Sequence, residues 1–82
     1  MTESFEIDVK INNEVKKFDA EFRKQGYSYK IAVWIDGHEV IYEPDEERQF
    51  RAISVNQALV ENKKFVEWVR VIGERLSELF ER

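Results

Sequence analysis

From Ser4 to Ile11 apolar and polar residues alternate without a break: Phe5, Ile7, Val9 and Ile11 take one parity, Ser4, Glu6, Asp8 and Lys10 the other. Successive strand side chains point to opposite faces, so this period predicts a strand with one face buried. Asn12-Asn13 follows, and asparagine tolerates the positive φ that a two-residue hairpin turn requires. The next run sets Phe18, Ala20 and Phe22 against Lys17, Asp19, Glu21 and Arg23, and Gln25-Gly26 predicts a second turn. Tyr27, Tyr29, Ile31, Val33 and Ile35 supply the apolar set of a third strand. Asp36-Gly37 is the strongest hairpin signal in the chain, and Val40 and Tyr42 continue into a fourth strand that ends at Pro44.

Two-residue loops at all three turns pair Ile7 with Phe18 and Phe5 with Ala20, then Phe22 with Tyr29 and Phe18 with Val33, then Val33 with Val40 and Ile31 with Tyr42. A slip of one residue would send an apolar set to the polar face. The three registers agree on one apolar face and one polar face. On the polar side Asp8 meets Lys17, Glu21 meets Lys30, and Lys30 meets Glu43, pairs worth roughly 0.2–1 kcal/mol each.

Residues 45–53 form a charged connection in which Phe50 to Ile53 is compatible with a short extended piece. After it, Val55, Ala58, Leu59, Phe65, Val66, Val69, Ile72, Leu76 and Leu79 recur at helical spacing. Ser54-Val55-Asn56-Gln57 fits a capping box. Lys63/Glu67, Arg70/Glu74 and Glu78/Arg82 add pairs one turn apart. An unbroken helix from Val55 to Glu81 would run to about 40 Å, while strands of eight or nine residues span about 30 Å. One straight helix therefore overhangs the sheet and leaves part of its width bare. Either the helix breaks near Asn62-Lys63, where asparagine favours a helix end, or a second copy covers the remainder.

The expected fold is α+β: a four-stranded antiparallel β-meander with a C-terminal helix, broken or not at Asn62, packed on one face. The whole chain, 1–82, reads as a single domain with a sheet over 1–44, a connection over 45–53 and a helical region over 54–82.

Composition sharpens this picture. Eighty-two residues make one domain, and a domain of this size buries only about 60–65% of its unfolded surface. With no cysteine and one histidine, neither disulfides nor a four-ligand zinc site can supplement the core. Six Phe, three Tyr and two Trp must supply it. The net charge of −4 lies in the first part of the chain: up to Ile53 there are 8 basic and 12 acidic residues, and after it 5 of each. Met1-Thr2-Glu3-Ser4 has no basic stretch leading into an apolar one, so no secretory signal is expected. No apolar run approaches the ~18 residues of a membrane span. A cytoplasmic location is the default expectation.

Candidate chemistry is sparse. His38, beside Asp36, Glu39 and Glu43, has the make-up of a general base oriented by a carboxylate, but a hairpin-turn histidine is ordinarily solvated and no nucleophile or oxyanion donor accompanies it. Glu43-Pro44-Asp45-Glu46-Glu47 could attract a hard cation, yet it lacks the ligand spacing and turn glycine of a calcium loop, and Arg48 and Arg51 are close enough to neutralise it. No metal, cofactor or catalytic residue is assigned. The polar sheet face carries Lys10, Lys17, Arg23 and Lys30 against Glu6, Asp8, Asp19, Glu21, Asp36, Glu39 and Glu43, a balance that repels a phosphate backbone and excludes nucleic acid.

Trp34, Ala32 and Ile41 share that polar face, with Val15 as an extension, and grouped apolar side chains on an exposed face mark contact surfaces. The bland alternative is a small cluster covered by the stems of Lys17 and Lys30. Trp68 and Val71, with Val60, fall outside the apolar arc that docking on one sheet requires. They either sink into a groove of the chain's own making or meet a second chain.

The stretch Val40-Ile41-Tyr42-Glu43-Pro44-Asp45-Glu46-Glu47-Arg48-Gln49-Phe50-Arg51-Ala52 resembles one found in short uncharacterised bacterial proteins with a strand-rich N-terminal part and a C-terminal helix. The resemblance implies a bacterial cytoplasmic protein and carries no activity or site residues with it. The residues themselves favour a non-catalytic interaction or assembly protein, self-associating or meeting another protein through Trp34, Ala32, Ile41, Trp68 and Val71. The alternatives are a carrier of a small apolar ligand, held between sheet and helix by Phe18, Phe22, Tyr29 and Tyr42, and an enzyme using His38 with Glu43.

Overall fold

The computed structural model describes residues 2–47, 49–55 and 59–80. Five strands, β1 (Thr2–Ile11), β2 (Glu14–Gln25), β3 (Ser28–Ile35), β4 (His38–Pro44) and β5 (Phe50–Ser54), precede one helix, α1 (Lys63–Phe80). The strands form a single antiparallel sheet in chain order. Helix α1 lies across one face of it.

The expected α+β meander is therefore present with five strands rather than four. The additional strand occupies the connection assigned to 45–53. There Phe50 and Ala52 turn to the core while Arg51 and Ile53 face outward, an alternation too short to register as a period. Long-range pairing with β4 makes it a strand: Tyr42 faces Ala52 and Ile41 faces Ser54, with a bulge that leaves Ile53 as the extra residue. The loop before it is organised by Asp45, whose Oδ1 accepts the N–H groups of Glu47 and Gln49, each at 2.9 Å.

The first and third hairpins have the expected registers, including Ile7 with Phe18 and Val33 with Val40. The second is shifted by two. Its loop is Gly26-Tyr27, not Gln25-Gly26, so Phe22 faces Ile31 and Ala20 faces Val33. Of that pair only Gly26 has positive φ, +60°, which matches the turn type needing glycine at its first central position. The other two turns have positive φ at both central residues: Asn12 and Asn13 at 49° and 68°, Asp36 and Gly37 at 52° and 82°. An even shift preserves the faces, so the apolar set stays together. It replaces the expected Glu21–Lys30 pair with Arg23–Lys30.

The helix begins at Lys63 rather than Ser54, which ends β5. The remainder of the expected capping box, Asn56 and Gln57, lies outside the described residues. Asn62 sits at the boundary: its N–H bonds back to Leu59 O at 3.0 Å, and its Oδ1 accepts Phe65 N–H at 3.1 Å, the geometry of an N-cap. Of the two ways to reconcile helix and sheet lengths, the break near Asn62 is the one realised, and eighteen residues give a helix of about 27 Å.

The core lies between the layers. Ile7, Val9, Phe18, Ala20, Ile31, Val33, Ile35, Val40, Tyr42 and Phe50 of the sheet meet Phe65, Trp68, Ile72 and Leu76 of α1. Trp68, placed by its spacing outside the stripe, is in it. Val66, counted with the stripe, is exposed. Helix and sheet approach closely at Gly73, where a Cβ would lie 3.1 Å from Phe50 O and 3.3 Å from the Tyr42 ring. Ser77 completes this junction, its Oγ accepting Phe50 N–H at 2.9 Å and donating to Gly73 O at 3.0 Å.

Candidate interaction surface

Among the described residues, the sheet face opposite α1 has no element packed on it. In the ladder Trp34 faces Glu39, Ala32 faces Ile41 on one side and Glu21 on the other, and Arg23 faces Lys30. These side chains form a connected group. The Arg23 guanidinium stands 5.8 Å from the Trp34 ring centroid, within cation–π range. It donates from Nε to Glu21 and from Nη2 to Glu39 at 2.8 Å. Its hydrogen bonds to Glu21 and then Glu39 raise the Arg23 pKa further. Ala32 is fully buried within the group, and Trp34 and Ile41 are half-buried.

Beside them, on β5, Ile53 is 44% exposed. Sequence reasoning missed this residue because it fell in the presumed connection; its opposition to Phe50 and Ala52 was the available signal. Val15 pairs with Lys10 and lies on this face as expected, 60% exposed, near the β1 end of the sheet, where it also borders a hollow of about 450 Å³ with Val71 and Arg75. Trp68 is 3% exposed, edge-on to Phe18 with centroids 5.4 Å apart. Neither Trp68 nor Ala32 has surface to offer a partner. The apolar patch thus consists of Trp34, Ile41 and Ile53, ringed by Arg23, Lys30 and Arg51 and by Glu21, Glu39 and Glu43.

The other candidate sites separate in space. His38 and Glu43 are five residues apart on β4, an odd interval that puts their side chains on opposite sheet faces. His38 lies on the helix side, its ring edge-on to Phe65 at 6.2 Å. It lines a hollow of about 200 Å³ with Lys16, Asp36, Asn62 and Lys64, in which Lys16 pairs with Asp36 at 3.8 Å and caps the Trp68 ring. The acidic stretch after β4 borders an open hollow with Arg51, and its Asp45 carboxylate is engaged by loop N–H groups. Among the described residues no cluster of three metal-ligating side chains occurs.

Between the layers, the four residues expected to line a ligand space each meet another part of the core. Phe18 contacts Trp68. Phe22 stacks on Tyr29 at 4.9 Å, and both rings lie 6.4 Å from Phe80. The Tyr42 hydroxyl donates to Val69 O at 2.6 Å, and burial raises its pKa.

Fold and surface together define a two-layer α+β protein, an open antiparallel meander with one helix and one uncovered face. No protein-family model, curated protein or solved structure matches the chain. Among the described residues no helix is long and apolar enough to cross a membrane.

Proposed function

We propose that this chain is a non-catalytic interaction protein that self-associates through the uncovered sheet face. The observation carrying this reading is the patch of Trp34, Ile41 and Ile53 on a face that no described element of the chain covers. Apolar groups gathered at the centre of a polar rim are the usual anatomy of a contact surface. The rim argues for a second copy as partner: three cations and three carboxylates surround the patch, so a two-fold arrangement can set each sign against the other. A strongly one-signed rim would repel its own copy.

Sedimentation equilibrium at micromolar concentrations tests this. The protein is expected to exceed monomer mass, and Trp34→Glu, which brings a carboxylate into the centre of the patch, is expected to return it to monomer with an unchanged far-UV spectrum. Trp68 is buried in either state, so acrylamide quenching should report Trp34 and weaken on association. A wild-type protein that remains monomeric throughout this range, with Trp34 freely quenched, removes the proposal.

A further inference from the structure

β1 is an outer strand of the sheet, ten residues long. In the hairpin that closes at Ile11 and Glu14, Phe5, Ile7, Val9 and Ile11 exchange hydrogen bonds with β2, and the alternate residues Ser4, Glu6, Asp8 and Lys10 turn their N–H and C=O groups outward. Such a row is a template for another strand. One of its carbonyls is already engaged: Asp8 O accepts a hydrogen bond from Arg75 Nε of α1 at 3.2 Å. Arg75 is held in turn by Glu78, 3.2 Å from its Nη1. This is a single long contact from an exposed side chain.

We propose that the β1 edge is a latched strand-addition surface whose occupant is β1 of a second copy, with Arg75 as the latch. The charge order along β1 selects the register. An antiparallel pair centred on Val9 sets Asp8 against Lys10 of the second copy and Lys10 against its Asp8. Centring on Asp8 also gives two opposite-charge pairs, Lys10 with Glu6, but opposes the two Asp8 carboxylates. Centring on Ile7 opposes Glu6 to Asp8 twice; of the three, only the Val9 register has no like-charge pair. In the Val9 register Asp8 O accepts from Lys10 N–H of the second copy, so the carbonyl Arg75 now occupies is one the added strand needs. Release of Arg75 and strand pairing are therefore coupled. On the helix side the joint covers the hollow lined by Val15 and Val71. This contact uses an edge and is independent of the Trp34 face.

The absence of cysteine allows a direct test. Hydrogen-bonded antiparallel partners have Cα atoms about 5.5 Å apart, within the span of a disulfide. A mixture of Asp8→Cys and Lys10→Cys chains, mildly oxidised, is expected to yield a disulfide heterodimer in excess of either chain alone and of a Glu6→Cys and Lys10→Cys mixture. Adding Arg75→Ala to one chain is expected to raise the yield about fivefold, the factor for one ordinary hydrogen bond, and adding it to both chains, which releases both latches, about 25-fold. Arg75→Met, which keeps the aliphatic stem and loses the donor, should do the same with the native fold intact by circular dichroism. Equal yields from all pairings, or a yield indifferent to Arg75, overturn the proposal. So does a yield that disappears with Trp34→Glu, since the cross-link would then be a by-product of the face contact.

Discussion

Tyr42 shows how one side chain joins the two layers. Its ring lies under Gly73, where the helix has no Cβ to hold it away, and its hydroxyl reaches the Val69 carbonyl one turn earlier. A buried hydroxyl left without a partner would be costly, and this hydrogen bond is what lets a tyrosine be accommodated between the layers. Tyr42→Phe is expected to lower stability by about 1 kcal/mol at neutral pH, read from urea unfolding. The pH dependence carries a definite sign. Burial raises the folded-state pKa above the ordinary 10.0, so the unfolded chain releases this proton first. The contribution is complete below that value and is lost as pH rises beyond it. The wild type should therefore lose stability more steeply than Tyr42→Phe between neutral and strongly alkaline pH. A difference between the two proteins that stays constant across that range would contradict the assignment.

At the scale of elements, turns and caps govern the outcome. The three hairpins were legible because asparagine, aspartate and glycine are the residues that accept positive φ, but the second was placed one position early. Gln25-Gly26 and Gly26-Tyr27 are both acceptable two-residue loops by composition, and only the turn type selects the latter. Helix α1 opens on Lys63-Lys64, with no acidic residue in its first turn, against the preference of the helix dipole for negative charge there. Its start therefore depends on Asn62 and on packing. Asn62→Ala is expected to cost about 1 kcal/mol, seen as a lower urea midpoint. An unchanged midpoint would mean that packing alone sets the boundary. Strand β5 was concealed for a related reason: four alternating residues are too few to signal a strand unless β4 is there to pair with them.

Across the whole molecule the two layers close at one end through aromatic rings. Phe80, the last described residue of α1, has centroids within 6.4 Å of Phe5, Phe22, Tyr29 and Phe50, drawn from four different strands. Alternation placed Phe5, Phe22 and Tyr29 on the apolar face, but their meeting with Phe50 around Phe80 joins segments far apart in sequence and was not readable beforehand. Phe80→Ala removes the common member and is expected to destabilise the fold by about 2–3 kcal/mol, below the range for a fully buried phenylalanine because Phe80 is only half-buried. A loss under about 0.5 kcal/mol, the level of an ordinary surface change, would show that the other four rings close the end unaided. Among the described residues the opposite sheet face has no comparable cover, and that asymmetry supports the contact surface proposed there.

Alternation of side chains across a pleated backbone is a local property, so the chain by itself determined which residues of β1 to β4 face the core and that an α+β meander results. Helical spacing likewise placed an amphipathic helix at the end, and Asn62 was a visible boundary. What tertiary structure decided is everything set by contact between distant segments. That includes the fifth strand, the two-residue register shift and the burial of Trp68 against Phe18. It also includes which apolar residues of the outer face stay accessible. Ala32 is buried and Ile53 is not, because burial depends on neighbours in the ladder rather than on the residue's own hydrophobicity.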